Sequence, residues 1–141
     1  MRTNTTKKER NNEMAKYEVN VERTNIEETR ELLKIKKMND FQNIGDLIPS
    51  GGSFVFNCER YAVLAIHQEI NTSGDQDYRR LIIIDSDGNT YGTSSESAID
   101  TFTELIMDLE SYNIPLPQEM NAFKRKGKDT KGEGYILIGL E

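Results

Sequence analysis

The pattern of apolar and polar positions changes character several times along the chain, and each change marks an element. Ser53–Cys58 alternates around Phe54 and Phe56, and Tyr61–Ile70 carries Val63, Leu64 and Ile66. Only the polar stretch Asn57–Arg60 divides them, so they form either two strands or one long bent strand. A loop follows at Asn71–Asp77, and the next strand, Tyr78–Asp85, contains the run Leu81-Ile82-Ile83-Ile84, which reads as buried. Asp87-Gly88 is a hairpin signal that returns the chain as the short strand Asn89–Thr93, carrying Tyr91. The spacing of Ala98, Ile99, Phe102, Leu105, Ile106 and Leu109 predicts a helix from about Ser97, with Ser97 and Asp100 as a capping box and Asn113 and Pro115 as its stop. Two last strands, Asn121–Lys126 and Gly134–Leu140, flank the glycine-rich loop Gly127–Gly132.

Upstream the pattern is weaker. Residues 1–23 are polar and read as a flexible extension. Residues 24–50 read as a helix and linker: Thr24 and Glu27 form a capping box, and Ile26, Leu33 and Met38 make a modest apolar stripe with Leu32 and Ile35 beside it. Phe41, Ile44 and Leu47 anchor the linker. Residues 51–141 then form the main domain. The N-terminal part, Met1 to about Met38, is a candidate for contact between protomers, because such a polar arm and marginal helix need a surface to lie on.

Charge sharpens this picture. The chain of 141 residues carries a net −6, yet the balance is uneven. Leu81 to Phe123 holds eight carboxylates (Asp85, Asp87, Glu96, Asp100, Glu104, Asp108, Glu110 and Glu119) and no Lys or Arg. Immediately afterwards Lys124, Arg125, Lys126, Lys128 and Lys131 crowd five cations into eight residues. A local basic feature therefore survives an acidic total. Cys58 is the lone cysteine, so there is no intramolecular disulfide and no cysteine cluster for zinc; with no apolar leader or membrane-length run, the expectation is a soluble, cytoplasmic protein.

No constellation of residues reads as an enzyme or a metal centre, and no cofactor is expected. His67, the single histidine, reads as an ordinary strand residue, and Asp85 and Asp87 read as turn formers. Gly127–Gly134 resembles a phosphate cradle only superficially, since it joins two strands and opens no helix. Binding of a nucleic-acid single strand asks for backbone-tracking cations and aromatic planes. The candidates are Arg79, Arg80, Lys124, Arg125, Lys126, Lys128 and Lys131 for the first, and Tyr78, Tyr91, Phe123 and Tyr135 for the second. Among these, Tyr91 stands beside Gly92, which would leave its ring open from the side.

The element order, with a long bent strand first and a helix between strands three and four, resembles the OB-fold, a five-stranded Greek-key barrel, over Gly51–Glu141; no specific motif accompanies the order. The alternative is a two-layer α+β sheet. In length and character the chain resembles the compact single-stranded DNA-binding proteins of phages and conjugative plasmids. That resemblance implies largely sequence-independent coating or protection of single-stranded DNA of a mobile genetic element, with RNA as a second partner of the same chemistry. In that family the ligand crosses strands two and three, here Tyr78–Ile84 and Asn89–Thr93, between Asn71–Asp77 and the basic loop. The alternative function is a protein-binding inhibitor or adaptor whose acidic region mimics DNA phosphates.

Overall fold

The computed structural model describes residues 17–70, 74–126 and 134–140. In chain order the elements are β1 (Tyr17–Thr24), α1 (Thr29–Lys36), β2 (Gln42–Asn43), α2 (Ile44–Leu47), β3 (Ser53–Ile70), β4 (Gly74–Asp85), β5 (Thr90–Thr93), α3 (Glu96–Ser111), β6 (Gln118–Arg125) and β7 (Tyr135–Gly139). The strands make one sheet in the order β2-β5-β4-β3-β6-β7, with β1 also paired to β3. All pairings are antiparallel except β2 with β5, and the sheet curls strongly into a half-barrel.

One strand organises the rest. The two apolar runs at 53–58 and 61–70 are a single 18-residue strand, β3. Its first part, Ser53–Cys58, pairs with β6, and its later part pairs with β1 on that same side. On the other side β4 follows it from Cys58 to Ile70. The register shifts between Cys58 and Arg60, a bulge that adds one residue and reverses which face each later side chain meets. Hence Phe56 and Cys58 before the bulge, and Tyr61 and Val63 after it, all enter the same core.

That core lies on the concave side. It joins those four residues to Leu81, Ile83, Met120, Ala122 and Ile138 of the sheet and to Ala98, Ile99, Phe102, Ile106 and Leu109 of α3. The helical spacing of the last five in the sequence is what turns them together toward the sheet. A second core lies on the other face of β3 and β4, where Ala62, Leu64, Ile66, Ile82 and Ile84 are covered by Ile26 and Ile35, with Leu32, Met38 and Phe41 packed beside them. The run Leu81–Ile84 is buried because both faces of β4 are roofed.

Several local expectations are corrected. Tyr17–Thr24 is strand β1, because Val19 and Val21 pack on the second core while the backbone pairs with β3; residues 1–16 of the expected extension lie outside the described residues. Thr24 caps no helix: its hydroxyl donates to the Tyr61 carbonyl at 2.7 Å and accepts from the Ile26 N–H at 2.9 Å. Helix α1 starts at Thr29 and buries Ile35, with Leu32 and, just past the helix, Met38 partly buried beside it, leaving Leu33 exposed. In α3 the N-cap is Ser95, whose hydroxyl accepts from the Ala98 N–H, in place of Ser97. The expected class, mainly β with helices, holds; the curled sheet counts seven strands among the described residues and carries a helix on each face.

Ser97 has another task, at the free edge of β7. It donates to the Ile136 carbonyl at 2.8 Å, while Thr101 Oγ1 accepts from the Ile138 N–H at 2.9 Å and donates to the Ser97 carbonyl at 2.8 Å. Helix hydroxyls thus satisfy an edge that would otherwise be open to pairing. Thr103, on the same helix, has a buried hydroxyl with no partner among the described residues. Thr101→Val should therefore lower the unfolding free energy in urea by about 1–3 kcal/mol, by stranding the Ile138 N–H, whereas Thr103→Val should be neutral or stabilising. Equal losses at the two positions would contradict this assignment.

Candidate nucleic-acid interface

The residues proposed from the sequence to touch a nucleic acid fall into three environments. Arg79 is committed to carboxylates of its own chain. Its Nη2 lies 2.6 Å from Glu96 Oε1 and 2.6 Å from Asp100 Oδ1, and its Nη1 lies 3.5 Å from Glu22 Oε1. These partners hold the guanidinium charged, with its pKa raised first by Glu96 and then by Asp100. They also neutralise it, so it serves as a latch between β4 and the start of α3. Arg80, one residue on, points to the opposite face. Its guanidinium sits 5.3 Å from the Phe41 ring centroid and 6.0 Å from that of Tyr78, and Nη1 donates to the Met38 carbonyl at 3.3 Å. Tyr78 is half-buried against the second core. Met38–Phe41 lies over this part of β4, where a crossing strand was expected to lie.

Tyr91 is not an open platform. It is 8% exposed and packs edge-on to Phe54, with ring centroids 5.1 Å apart. Gly92 does not open its side: the place a Cβ would take at Gly92 is filled from the other face by the Phe41 ring, 2.5 Å away. The Tyr91 hydroxyl donates to Asp85 Oδ2 at 2.9 Å. Asp85 also accepts from the Asp87 and Asn89 N–H groups at 2.9 and 2.8 Å and from Asn89 Nδ2 at 3.1 Å. Burial would raise this carboxyl, but the bonds from Asn89, Tyr91 and Asp87 prevail and its pKa is lowered. The Asp85 carboxylate is therefore structural, holding the hairpin that Gly88 turns at φ 90°.

The remaining candidates meet at or beside the convex face of β6 and β7, which no helix among the described residues covers. Alternation places Phe54, Phe56, Met120, Ala122 and Ile138 in the core, so their neighbours point outward. The register then sets Ser53, Phe123 and Leu137 in one row, and Val55, Asn121 and Gly139 in the next, with Arg125 opposite Tyr135 beyond them. The Arg125 guanidinium lies 5.7 Å from the centroid of Phe123. Tyr135 is 39% exposed and Val55 50%, and Asn121 Oδ1 is buried without a partner among the described residues. Lys124 and Lys126 are exposed at the same end and, with Phe123, Gly134 and the Pro49–Gly52 turn, line a cleft of about 610 Å³. Phe123, Arg125 and Tyr135 thus share that face; Lys124 and Lys126, which alternation puts on the opposite side of β6, adjoin it through the cleft at the strand's end, and Tyr78, Arg79, Arg80 and Tyr91 are placed elsewhere. Lys128, Lys131 and the rest of the basic loop at 127–133 lie outside the described residues.

Val55, Asn121, Leu137 and the Pro49–Gly52 turn were not among the contact residues expected from the sequence. The alternation of β6 could have given Asn121, on the same side as Phe123 and Arg125; the others depend on which strands pair. Of the potentially reactive groups, Cys58 is buried and its thiol is pushed up to about 12 by that burial, and His67 Nδ1 lies 2.6 Å from Asp77 Oδ1. Among the described residues no helix is long and apolar enough to cross a membrane. Compared with protein-family models, with curated proteins and with solved structures, the chain matches none.

The Asp85 cluster generates a test by pH. A carboxyl whose folded pKa is lowered contributes stability above its unfolded pKa and loses that contribution as pH falls through the folded value. Asp85→Asn should then lower the unfolding free energy by about 1–3 kcal/mol at neutral pH. The gap to the wild type should close below the usual carboxylate range. A gap independent of pH would show that Asp85 acts without its charge.

Proposed function

We propose that the protein binds single-stranded DNA, largely without regard to sequence, along the convex face of β6 and β7, with RNA as a second ligand of the same chemistry. The observation that carries this reading is the uncovered sheet face on which Phe123, Arg125 and Tyr135 adjoin the cleft holding Lys124 and Lys126. Aromatic rings give bases a plane to cover whatever their identity, and the neighbouring cations track phosphates. The acidic helix α3 packs on the concave side, so its charge is directed away from this face.

Strand order supports an OB-type barrel as the underlying architecture. β3, β4 and β5 follow one another as neighbours, and β6 returns across α3 to lie beside β3, the spatial order of a Greek key, with β7 as a fifth strand. The proposed path of the strand departs from the family's usual one. Met38 and Phe41 cover the outer face of β4 and β5, so the open aromatic surface lies on the fourth and fifth barrel strands instead of the second and third.

Titration of a fluorescent oligothymidylate followed by anisotropy tests this. Binding should weaken with salt at a log–log slope of about −2, for three phosphates neutralised by Lys124, Arg125 and Lys126. Phe123→Ala and Tyr135→Ala should each cost about 1–3 kcal/mol of binding, with folding checked by circular dichroism. Arg79→Ala and Tyr91→Phe should leave affinity unchanged. Absence of binding at low salt by the folded protein would reject the reading in favour of a protein-binding role for the acidic helix.

A further inference from the structure

The helix that roofs the second core has an outer side with no partner among the described residues. Because α1 turns Leu32 and Ile35 to the sheet, Leu33 is left 51% exposed, and it borders a cleft of about 470 Å³ with Tyr17, Val19, Lys36, Lys37 and Asn39. Arg30, Lys34, Lys36 and Lys37 make no ion pair among the described residues. The cleft is therefore apolar at its centre and cationic at its rim.

Helix α3 carries the complement. Its outward side presents Met107 at 52% exposure between Glu104 and Asp108, with Tyr112 at 77% exposure one turn further on. Glu104 and Asp108 likewise make no ion pair among the described residues. Here too an apolar centre has a rim of one sign, and that sign is opposite. Charge of this kind would steer the two surfaces together and reject like pairings.

We infer that copies of this chain associate head to tail, the acidic outer face of α3 of one copy seating on the cationic cleft between α1 and β1 of the next. The occupant is a second copy because the matching surface is present on the chain itself. Since α3 closes the concave core and α1 the opposite one, the two surfaces lie on opposite sides of the sheet. One contact thus leaves a free cleft at one end and a free α3 at the other, which is a heterologous interface that extends into a row or closes into a ring. The inference goes beyond nucleic-acid binding and does not rest on it, because neither surface contains Phe123, Arg125 or Tyr135.

Sedimentation velocity of the full chain without nucleic acid tests it. At low salt the weight-average sedimentation coefficient should rise with protein concentration, and at about 1 M salt, where the screening length falls to roughly 3 Å, it should return to that of a monomer. The double variants Lys36→Glu with Lys37→Glu, and Glu104→Lys with Asp108→Lys, should each sediment as monomers, because each places like charges on both surfaces. An equal mixture of the two should assemble again, since every contact across the mixture pairs opposite charges. That recovery also separates lost docking from lost folding. A wild type that stays monomeric at every concentration, an α3 variant that assembles like the wild type, or a mixture that remains monomeric would each overturn the inference.

Discussion

Everything in this molecule hangs on the length of β3. An 18-residue strand can serve three neighbours only if it changes direction, and the bulge between Cys58 and Arg60 supplies the change. Without that extra residue, Tyr61 and Val63 would leave the concave core for the opposite face, and Ala62 and Leu64 would take their place. One insertion therefore keeps two hydrophobic faces in register along a single strand. It also separates the part of β3 that pairs with β6 from the part that pairs with β1, and so sets apart the open face of the sheet from the roofed one.

The second core then decides which part of the outer sheet face is roofed. Placing Leu64, Ile66, Ile82 and Ile84 on the outer face of β3 and β4 obliges some element to cover them, and α1 with Met38 and Phe41 does so. Coverage reaches Gly92, where the Phe41 ring occupies the place a side chain would fill. Among the described residues the outward rows of β6 and β7, with Val55, Asn121, Phe123 and Leu137, have no helix over them. Arg125 stands on that face, Lys124 and Lys126 adjoin it through the cleft at the end of β6, and Glu119 lies at the other end of the strand.

The parts legible in the sequence were those set by local pattern. The spacing of Ala98 to Leu109 gave α3, the run at 81–84 gave a buried strand, and Asp87-Gly88 gave the hairpin that Gly88 makes at positive φ. What escaped depended on partners distant in the chain. Tyr91 has the same neighbours in sequence whether its ring meets solvent or Phe54, and only the pairing of β5 with β4 decides between them. Arg79 and Arg80 are adjacent, yet one is spent on Glu96 and Asp100 and the other on Phe41, a distinction set by which face of β4 each occupies. Thr24 and Ser97 matched a capping pattern, but strand carbonyls of Tyr61 and Ile136 claimed their hydroxyls. Phe123, Arg125 and Tyr135 were chosen for their chemistry; that they share one face followed from the alternation of β6 and from a pairing with β7 that residue types alone do not specify.

The central claim is that the convex face of β6 and β7 is where a single strand lies. Backbone amide resonances of the full-length protein, followed as an oligothymidylate is added, test it most directly. The account predicts that shifts concentrate at Asn121–Lys126, Tyr135–Gly139 and the Pro49–Gly52 turn, with β5 and the outer side of α1 unmoved. Shifts concentrated on β4 and β5 instead, around Arg80 and Gly92, would mean that Met38–Phe41 gives way to the ligand and that the face identified here is not the site.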